Sequence, residues 1–516
     1  MRFDSTTITT QLARLDRNKT PGVDGVSPYA LKECSDAFSV PLAILFNKSF
    51  ESGQLPCAWR EANVTPLFKK GSRLDPSNYR PISLTSIVCK VMESVVRDNI
   101  MAHLVENNLI CKQQHGFVPR KSCTTNLLET VDFTTLNISE KRPVDIVFLD
   151  FSKAFDKVSH RALLHKLEAY GIQGRVHSWI SAFLTNRRQR VILGNSFSEW
   201  SEVLSGVPQG SVLGPVLFVI FVNDLPDVIS STCKLYADDC KLLGSVCNAD
   251  DAARIQRDID AVVKWCDDWA MQLNYGKCRV MHCGSHNRES IYNFTDAKSG
   301  ECLPLEVTTR ERDLGIILTP DMKWHDQVAN AAGKASRMTA MLKKTFKTRE
   351  LRTWKKLYTT NIRPHLEFAV PAWNPHQRGD ISLLERAQRR VTRVPRKLRG
   401  LTYEMRCKRL GLTSLEERRL RGDLIQQFKI VKGIESVNFE ETTSKFVRVV
   451  APRGGKRAQL RREVVRSCNQ RHHFFSNRIV RSWNDLPDTV ISAIVTNEFK
   501  NRLDAAKAGK RQVATS

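Results

Sequence analysis

Three aspartates lie where two predicted strands end, and their spacing indicates metal-dependent chemistry. Asp150 ends the apolar run "IVFLD", and Asp238 and Asp239 form a two-residue turn between "KLYA" and "CKLL". If these strands are neighbours in one sheet, the three carboxylates meet at one end of it. Acidic groups that close cannot all stay ionised without counter-charge. Two Mg²⁺ ions about 4 Å apart would supply it and could hold the attacking and leaving oxygens of an in-line phosphoryl displacement.

Each aspartate alone is weak evidence, because Asp-Asp is common in turns and an aspartate after a strand often caps a helix. Two other segments strengthen the metal-site interpretation. The loop "SGVPQGS" (205–211) surrounds Gln209 with glycines, which lets the backbone come close to a base or a sugar. The segment "FKKGSRLDPSNYRP" provides Lys69, Lys70 and Arg80, which are cations suited to a triphosphate.

Hydrophobic periodicity predicts the elements that must position these residues. Runs typical of strands are "EANVTPLFKK" (61–70), "VDIVFLDF" (144–151), "RRQRVILG" (187–194), "KCRVMHCG" (277–284) and "RDLGIILT" (312–319). Helical spacing predicts helices over residues 86–107, 212–225 and 250–273, and another from Ser159 as N-cap to Gly171 as its stop. From about 325 onward the pattern is helical and basic. Strands and helices mix without strict βαβ alternation, so the first 320 residues are predicted to be α+β and the remainder α.

The positive charge of the chain is confined to its last third. The formal net charge is +26. Residues 1–330 hold 38 lysines and arginines against 38 acidic residues, whereas residues 331–516 hold 42 against 16. Such segregation is typical of a polyanion-binding segment, and nucleic acid is favoured over a merely solvated basic surface or a membrane surface.

The cysteines and the apolar runs bear on cellular location. The 14 cysteines have no regular spacing and no signal peptide precedes them, which indicates a reducing compartment, the nucleus or the cytoplasm. The longest apolar run, "PVLFVIFV" (215–222), is too short to span a bilayer, so no membrane partner is predicted.

Two groups of cysteine and histidine invite comparison with zinc sites. The first contains Cys278, His282, Cys283 and His286, but its residues alternate as in a strand and match no common finger spacing, so a structural strand is favoured. The second, Cys468 and His472, is a weak pair without an evident partner pair.

Seven segments in order resemble the successive motifs of a reverse transcriptase. They are "PLFKKGSRLDPSNYRPISLTSIVCKVMES", "QQHGFVPRKSCTTNLLE", "VFLDFSKAFDKVSH", "SGVPQGSVLGPVLFVIFVNDLP", "YADD", "LNYGKCRVMHCG" and "RDLGIILTPDMKW". The resemblance is to non-LTR (LINE-type) retrotransposons of the Jockey and chicken-repeat groups and covers roughly residues 15–330. It continues less sharply through "RPHLEFAVPAWNPHQRGDISLLERAQRRVTR" and "HHFFSNRIVRSWNDLP". A lone "YADD" would not be specific, whereas seven ordered motifs are.

This resemblance implies roles for individual residues. Asp150, Asp238 and Asp239 would be the catalytic residues and would hold two Mg²⁺ ions, for which Mn²⁺ could substitute. Residues implied to bind the incoming dNTP are Lys69, Arg80, Phe155, Gln209, Gly210 and Lys277. Leu314 and Gly315 are implied to form the hairpin that grips the primer terminus. Phe155 would act as a steric gate against a ribose 2′-hydroxyl, with a core phenylalanine as the alternative. Lys277 would protonate the pyrophosphate, with an exposed strand lysine as the alternative.

The resemblance also implies a right-hand polymerase of fingers, palm and thumb, followed by a basic, mainly helical C-terminal region. The expected divisions are an N-terminal extension and fingers (1–145), a palm with part of the fingers interleaved (146–325), a thumb (326–400) and a nucleic-acid-binding region (401–516). The implied activity is RNA-directed DNA polymerisation, which extends a DNA primer on a template RNA, the element's own RNA, with dNTPs.

Two other functions remain open at this point. A catalytically inactive, element-derived RNA-binding protein would be indicated by loss of one of the three aspartates, and all three are present. An RNA-dependent RNA polymerase would share these carboxylates, but Phe155 and the order of the motifs count against it. Because the polymerase motifs begin within the first twenty residues, the upstream endonuclease of such elements is not expected in this chain.

Overall fold

The computed structural model describes residues 1–295, 302–440 and 459–513, and it has the mixed α+β character that the sequence predicts. The helices of the first 295 residues are α1 (Ser5–Ala13), α2 (Pro28–Glu33), α3 (Ser35–Ser52), α4 (Cys57–Arg60), α5 (Ile87–Glu106), α6 (Cys123–Ser139), α7 (Ala154–Lys157), α8 (His160–Ala169), α9 (Arg175–Leu184), α10 (Gly214–Phe221) and α11 (Ala249–Asp268).

The helices that follow are α12 (His325–Thr345), α13 (Leu351–Leu357), α14 (Arg363–Glu367), α15 (Val370–Trp373), α16 (Arg378–Thr392), α17 (Tyr403–Leu410), α18 (Leu415–Val431), α19 (Asn469–His472), α20 (Phe475–Asn484), α21 (Asp488–Ile491) and α22 (Thr496–Val513). The chain from 325 onward is therefore helical where the structure describes it, as predicted. None of the helices in the described ranges is long and apolar enough to cross a membrane.

The strands are β1 (Glu61–Phe68), β2 (Tyr79–Leu84), β3 (Val144–Asp150), β4 (Arg187–Leu193), β5 (Ser196–Phe197), β6 (Ser201–Val203), β7 (Thr232–Tyr236), β8 (Asp239–Ser245), β9 (Arg279–Cys283), β10 (Asn293–Thr295), β11 (Cys302–Pro304), β12 (Glu306–Val307), β13 (Glu311–Asp313) and β14 (Ile316–Leu318). A central sheet has the order β12-β9-β3-β8-β7, and a second sheet has the order β2-β1-β4-β5 with β6 on β4.

The middle strand of the central sheet, β3, is antiparallel to both β8 and β9. Its side chains alternate between two hydrophobic cores. Val147 and Leu149 belong to a core that includes α1, α3, α5 and α8 to α11, and Val144 and Ile146 belong to a core that includes α6, α12 and α16. Because both faces are covered, the strand reads as a continuous apolar run in the sequence.

A third core lies among the helices near the end of the chain. Leu424 and Phe428 of α18 pack with Trp483 of α20 and with Phe499 and Leu503 of α22. The basic, amphipathic segment "RRLRGDLIQQFKIVKG" (418–433) therefore also contributes apolar side chains to this core.

Several local predictions are confirmed. The hydroxyl of Ser159 accepts a hydrogen bond from the Ala162 N–H at 3.3 Å, so it caps α8, and Gly171 follows the helix with φ +77°. Two boundaries are wrong: α10 and α11 both end several residues before their predicted stops at 225 and 273.

The single strand predicted over "RDLGIILT" is wrong, whereas the hairpin that the resemblance implies at Leu314 and Gly315 is present. The segment "RDLGIILT" contains a hairpin, because β13 and β14 are joined by a two-residue turn of Leu314 and Gly315 with φ of +44° and +92°. Positive φ at both turn residues is typical of a tight type I′ hairpin, and glycine meets that demand at the second position. A strand prediction based on apolar runs misses a turn this short, because the apolar residues before and after it form a nearly continuous run.

Candidate active site

The candidate site lies at the end of the central sheet where β3 and the β7–β8 hairpin finish. Asp150, the last residue of β3, is the register partner of Asp239, the first residue of β8. Directly opposed residues of antiparallel strands have Cβ atoms about 5 Å apart, so the two carboxylates are close neighbours. The predicted adjacency of the two strands is thus what the structure has.

The position of the turn differs from the prediction by one residue. Asp239 pairs with Tyr236, so the two turn residues are Ala237 and Asp238 instead of the two aspartates. Ala237 has φ +55°, a left-handed value that is uncommon outside glycine, asparagine and aspartate. Asp238 therefore projects from the turn itself, whereas Asp239 is held by the strand ladder.

The two adjacent aspartates are electrostatically strained. Enclosure by protein, followed by the negative charges of Asp238, Asp313 and Asp150, raises the pKa of Asp239 to about 6, although its side chain is exposed. Burial also raises the pKa of Asp238, while the positive charges of Arg80 and Lys69 act to lower it. For both aspartates, burial is the larger cause of the raised pKa and the neighbouring carboxylates are a secondary one.

Lys277 provides the closest counter-charge to the strand end. Its Nζ lies 3.1 Å from Oδ1 of Asp150, and both side chains are partly open to solvent. The same strand end is fixed through its backbone. The Asn274 N–H donates to the Asp150 carbonyl at 2.7 Å, and the Asp150 N–H donates to Sγ of Cys278 at 3.4 Å. Lys277 is exposed, but it ends a short 3-10 turn (Tyr275–Lys277) before β9, so the alternative of an exposed strand lysine is wrong about the strand. Its ammonium faces a candidate catalytic carboxylate.

The β1–β2 hairpin brings two more predicted residues to the site. Leu67 of β1 pairs with Arg80 of β2, and the Lys69 N–H donates to the Asn78 carbonyl at 2.8 Å just beyond the paired strands. Arg80 and Lys69 are both exposed, and their charges reach Asp238. Lys70 is exposed in the same loop, farther along the chain from the strand.

The glycine-rich loop before α10 is tied to the turn that follows β3. Nε2 of Gln209 donates to Oδ1 of Asp156 at 2.8 Å, and the Gln209 carbonyl accepts from the Ser83 N–H of β2 at 2.7 Å. Gly210 has φ +115°, and a Cβ there would lie 2.5 Å from the Ser83 carbonyl oxygen. The loop can pack this closely against β2 only with glycine at this position.

Phe155 lies in the same region and is half-buried. Its ring stacks on Phe218 of α10 with centroids 4.4 Å apart and 16° between the planes. Its carbonyl accepts from the Val207 N–H at 2.8 Å, so a backbone hydrogen bond joins the turn after β3 to the loop of Gln209. One face of the ring is thus fixed by packing while part of it remains open to solvent.

The Leu314–Gly315 hairpin faces the aspartates across a cleft. The cleft is lined by the ends of β3, β7 and β8 together with Lys277, Arg312 and Leu314. A buried salt bridge joins Lys241 of β8 to Asp313 of β13 and so links the hairpin to the strand that begins with Asp239. Of the predicted residues, Asp150, Asp239, Lys277 and Leu314 line this cleft, and Asp238 lies in the adjoining turn. The residues that line it do not include Lys69, Arg80, Phe155, Gln209, Gly210 or Gly315.

The donors at this strand end fit a hard divalent cation in type. Among the described residues no three histidine, cysteine or acidic side chains form a ready-made metal site. Carboxylate oxygens are nevertheless the ligands Mg²⁺ prefers, and a cation would favour the charged form of Asp239, whose pKa is raised by burial first and by the neighbouring carboxylates second. The structural strand favoured over a zinc site for the first cysteine–histidine group is present as β9, where Nδ1 of His282 lies 2.7 Å from Oδ1 of Asp145, and the preceding Cys278 faces the Asp150 backbone.

Sequence reasoning missed several residues that support the site. Asp156 holds Gln209, the Lys241–Asp313 pair ties the hairpin to β8, and Gln114 contacts the turn between β7 and β8. Asp156 lies in the quoted segment "DFSKAFDKV" and Gln114 in "QQHGF", so each was within a recognised motif without a role. No local pattern marks Lys241 and Asp313, because their pairing depends on the tertiary fold.

Comparison with known proteins gives a consistent family. A model of the family described as "Reverse transcriptase (RNA-dependent DNA polymerase)" matches residues 68–327. The chain is 26% identical over 420 residues to "Probable RNA-directed DNA polymerase from transposon BS" of Drosophila melanogaster, which covers 78% of this chain and 46% of that protein. It is 30% identical over 282 residues to "RNA-directed DNA polymerase from mobile element jockey" of the same species, covering 52% and 30%. The chain thus spans less than half the length of these curated relatives.

Proposed function

Because this chain belongs to the reverse transcriptase (RNA-dependent DNA polymerase) family, we propose that it extends a DNA primer on an RNA template with dNTPs. The observation that carries the proposal is the pairing of Asp150 with Asp239 at the end of the central sheet, with Asp238 in the adjoining turn. The comparisons do not favour the alternative of a catalytically inactive RNA-binding protein, since the relatives are described as polymerases.

In the proposed reaction, Asp150, Asp238 and Asp239 hold two Mg²⁺ ions, or Mn²⁺ in their place. The ions, when bound, stabilise the charge that develops as the primer 3′-hydroxyl displaces pyrophosphate from the α-phosphate. Arg80 and Lys69 lie across from Asp238 and are suited to the triphosphate.

The remaining predicted residues take supporting roles in this proposal. Lys277 is placed beside Asp150, where its ammonium can deliver a proton to the departing pyrophosphate. Gln209 and Gly210 form a surface for the incoming nucleotide and the template base. Leu314 and Gly315, at the tip of the hairpin across the cleft, hold the primer terminus.

We propose the fingers, palm and thumb of a right-hand polymerase with the boundaries predicted from the sequence. Fingers and an N-terminal extension occupy 1–145, the palm 146–325, the thumb 326–400, and a basic nucleic-acid-binding region 401–516. The template is the RNA of a non-LTR retrotransposon, which the names of the mobile-element relatives support. The protein works in the nucleus and cytoplasm, where its cysteines, free throughout the chain, stay reduced.

The test of the proposed function is primer extension by the purified protein. An RNA template annealed to a DNA primer is incubated with dNTPs and Mg²⁺, and the extended product is measured on a denaturing gel. Extension that requires the RNA template, dNTPs and a divalent cation supports the proposal. Absence of extension under all of these conditions would sink it.

The first prediction concerns sugar selection by Phe155. Replacing Phe155 by valine removes ring volume beside the site, so incorporation of NTPs relative to dNTPs should rise by about 10- to 100-fold. The ratio is measured as kcat/KM for each nucleotide on the same primer–template. Phe197→Val, at an exposed phenylalanine, is the matched control and should leave the ratio unchanged. If Phe155→Val lowers both incorporations equally, Phe155 is a packing residue and the gate assignment fails.

The second prediction concerns the basic helices. Arg386 and Arg390 are exposed one turn apart on α16, and the double change to alanine should remove about two phosphate contacts. The slope of log Kd against log salt concentration for an RNA–DNA duplex should then fall by about 2. Changing Arg257 and Lys264, exposed on α11 in the charge-neutral part of the chain, to alanine is the control. If the two double variants showed the same slope of log Kd against log salt concentration, the duplex phosphates would not lie against Arg386 and Arg390 of α16.

A further inference from the structure

A buried glutamine lies directly against the turn that carries Asp238. Gln114 is only 1% exposed, and its Oε1 accepts two backbone hydrogen bonds. One comes from the Ala237 N–H at 2.9 Å and the other from the Gly116 N–H at 2.7 Å. A single carboxamide oxygen therefore joins the catalytic turn to a loop more than a hundred residues earlier in the chain.

The backbone around Gln114 follows the edge strand closely. The Leu235 N–H donates to the Gln113 carbonyl at 3.0 Å, and the His115 N–H donates to the Leu235 carbonyl at 2.9 Å. A Cβ on Gly116 would lie 2.4 Å from the Ala237 nitrogen, so this position requires glycine for the approach. The loop from Gln113 to Gly116 thus packs along β7 as far as the turn.

The turn needs such support because of its own residues. Ala237 holds φ +55° without the freedom of glycine, and a short turn of this kind is otherwise specified by glycine or asparagine. The Ala237 N–H belongs to the Tyr236–Ala237 peptide, so its hydrogen bond to Gln114 fixes the peptide plane from which the turn departs, one residue before Asp238. We infer that Gln114 is a positioning residue that sets the orientation of the Asp238 carboxylate without touching substrate itself.

The carboxamide of Gln114 works only as an acceptor in this arrangement. Its Nε2 is buried and has no hydrogen-bond partner within the residues that the structure describes. A glutamate at this position keeps the accepting oxygen in either protonation state, whereas methionine has similar length and no strong acceptor. The two replacements therefore separate the hydrogen bond from the volume of the side chain.

The inference rests on the proposed polymerase function, and its test compares variants of an active enzyme. Gln114→Met should lower kcat for dNTP addition by about 10- to 100-fold, because a small misplacement of a catalytic group is costly. The dNTP KM should stay within about twofold, and the Mg²⁺ concentration for half-maximal rate should rise, since Asp238 is a proposed metal ligand. Gln114→Glu should recover most of kcat. Gln173→Met, at an exposed glutamine, is the control and should behave as wild type.

The outcomes distinguish this inference from the proposed function. A wild-type protein that does not extend primers at all overturns the polymerase proposal. An active wild type with an equally active Gln114→Met variant overturns only the positioning role. The positioning role is also overturned if the Gln114→Met variant unfolds. It is overturned as well if the loss of activity follows a fall in the thermal midpoint while the Mg²⁺ dependence stays unchanged, because Gln114 is then a structural residue. Failure of folded Gln114→Glu to recover kcat overturns it as well.

Discussion

Replacing Asp238 by asparagine should reduce primer extension by about 10³-fold or more, because a ligand that holds metal supplies several kcal/mol of transition-state stabilisation. Asparagine has the same shape but lacks the charge, so the turn between β7 and β8 should keep its geometry. The rate is measured in single-turnover extension on an RNA template with saturating dNTPs. Protein integrity is checked by thermal unfolding, and the midpoint should match that of wild type or exceed it, since removing one of the crowded charges relieves repulsion.

The control for this change is Asp268→Asn, the same substitution at an exposed aspartate that ends α11. It should leave the rate unchanged. Binding of the RNA–DNA duplex to Asp238→Asn should remain within a few fold of wild type, because the phosphates are held by other residues. If Asp238→Asn extends primers as fast as Asp268→Asn does, the metal-binding role assigned to the turn is wrong.

Replacing Arg471 by methionine should lower the free energy of unfolding by about 3 kcal/mol or more, since removing one partner of a buried ion pair leaves uncompensated charge. The Arg471 guanidinium is fully buried and lies 2.7 Å from Oδ1 of Asp132, which is also fully buried, and 2.7 Å from Oε2 of Glu463. Methionine fills much of the same volume but neutralises neither carboxylate. The change is measured as a shift of the urea unfolding midpoint.

Arg481→Met is the matched control because Arg481 is 95% exposed and lies 4.0 Å from Asp485. An exposed pair of this kind contributes little, about 0.5 kcal/mol or less. Adding Asp132→Asn to Arg471→Met should restore part of the lost stability, since the stranded acid is then removed. Equal midpoints for Arg471→Met and Arg481→Met would show that the buried pair contributes nothing beyond its volume.

Much of the central sheet could be predicted because its information is local. The run that ends at Asp150 is apolar on both faces, which fits a strand between two cores, and "KLYADDCKLL" has strand-forming residues on both sides of a turn. The predicted position of that turn is wrong by one residue. The pairing of Tyr236 with Asp239 depends on the neighbouring loop of Gln114 as well as on the residues of the turn.

The contacts between distant segments could not be predicted from the sequence. Lys241 and Asp313 are ordinary surface residue types, and only the fold places the β13–β14 hairpin over β8 and buries them together. The same holds for α6, which lies in the predicted fingers region. Leu127, Leu128 and Val131 of this helix belong to the core shared with α12 and α16. No periodicity within α6 indicates which helices cover it.

The pairing of α6 with the segment at 459–484 has a consequence for how the protein is made. Asp132 and Arg471 are 339 residues apart, so at about 5 to 20 residues per second the acid is synthesised roughly 20 to 70 s before its partner. The backbone at Asn438 and Glu440, which donates to Glu129 and Asp132, also arrives late. During translation α6 therefore carries acidic groups that favour water over the interior. The contacts of α6 with this segment can form only after Arg471 has been synthesised, so a chain stopped before Arg471 lacks the buried ion pair with Asp132.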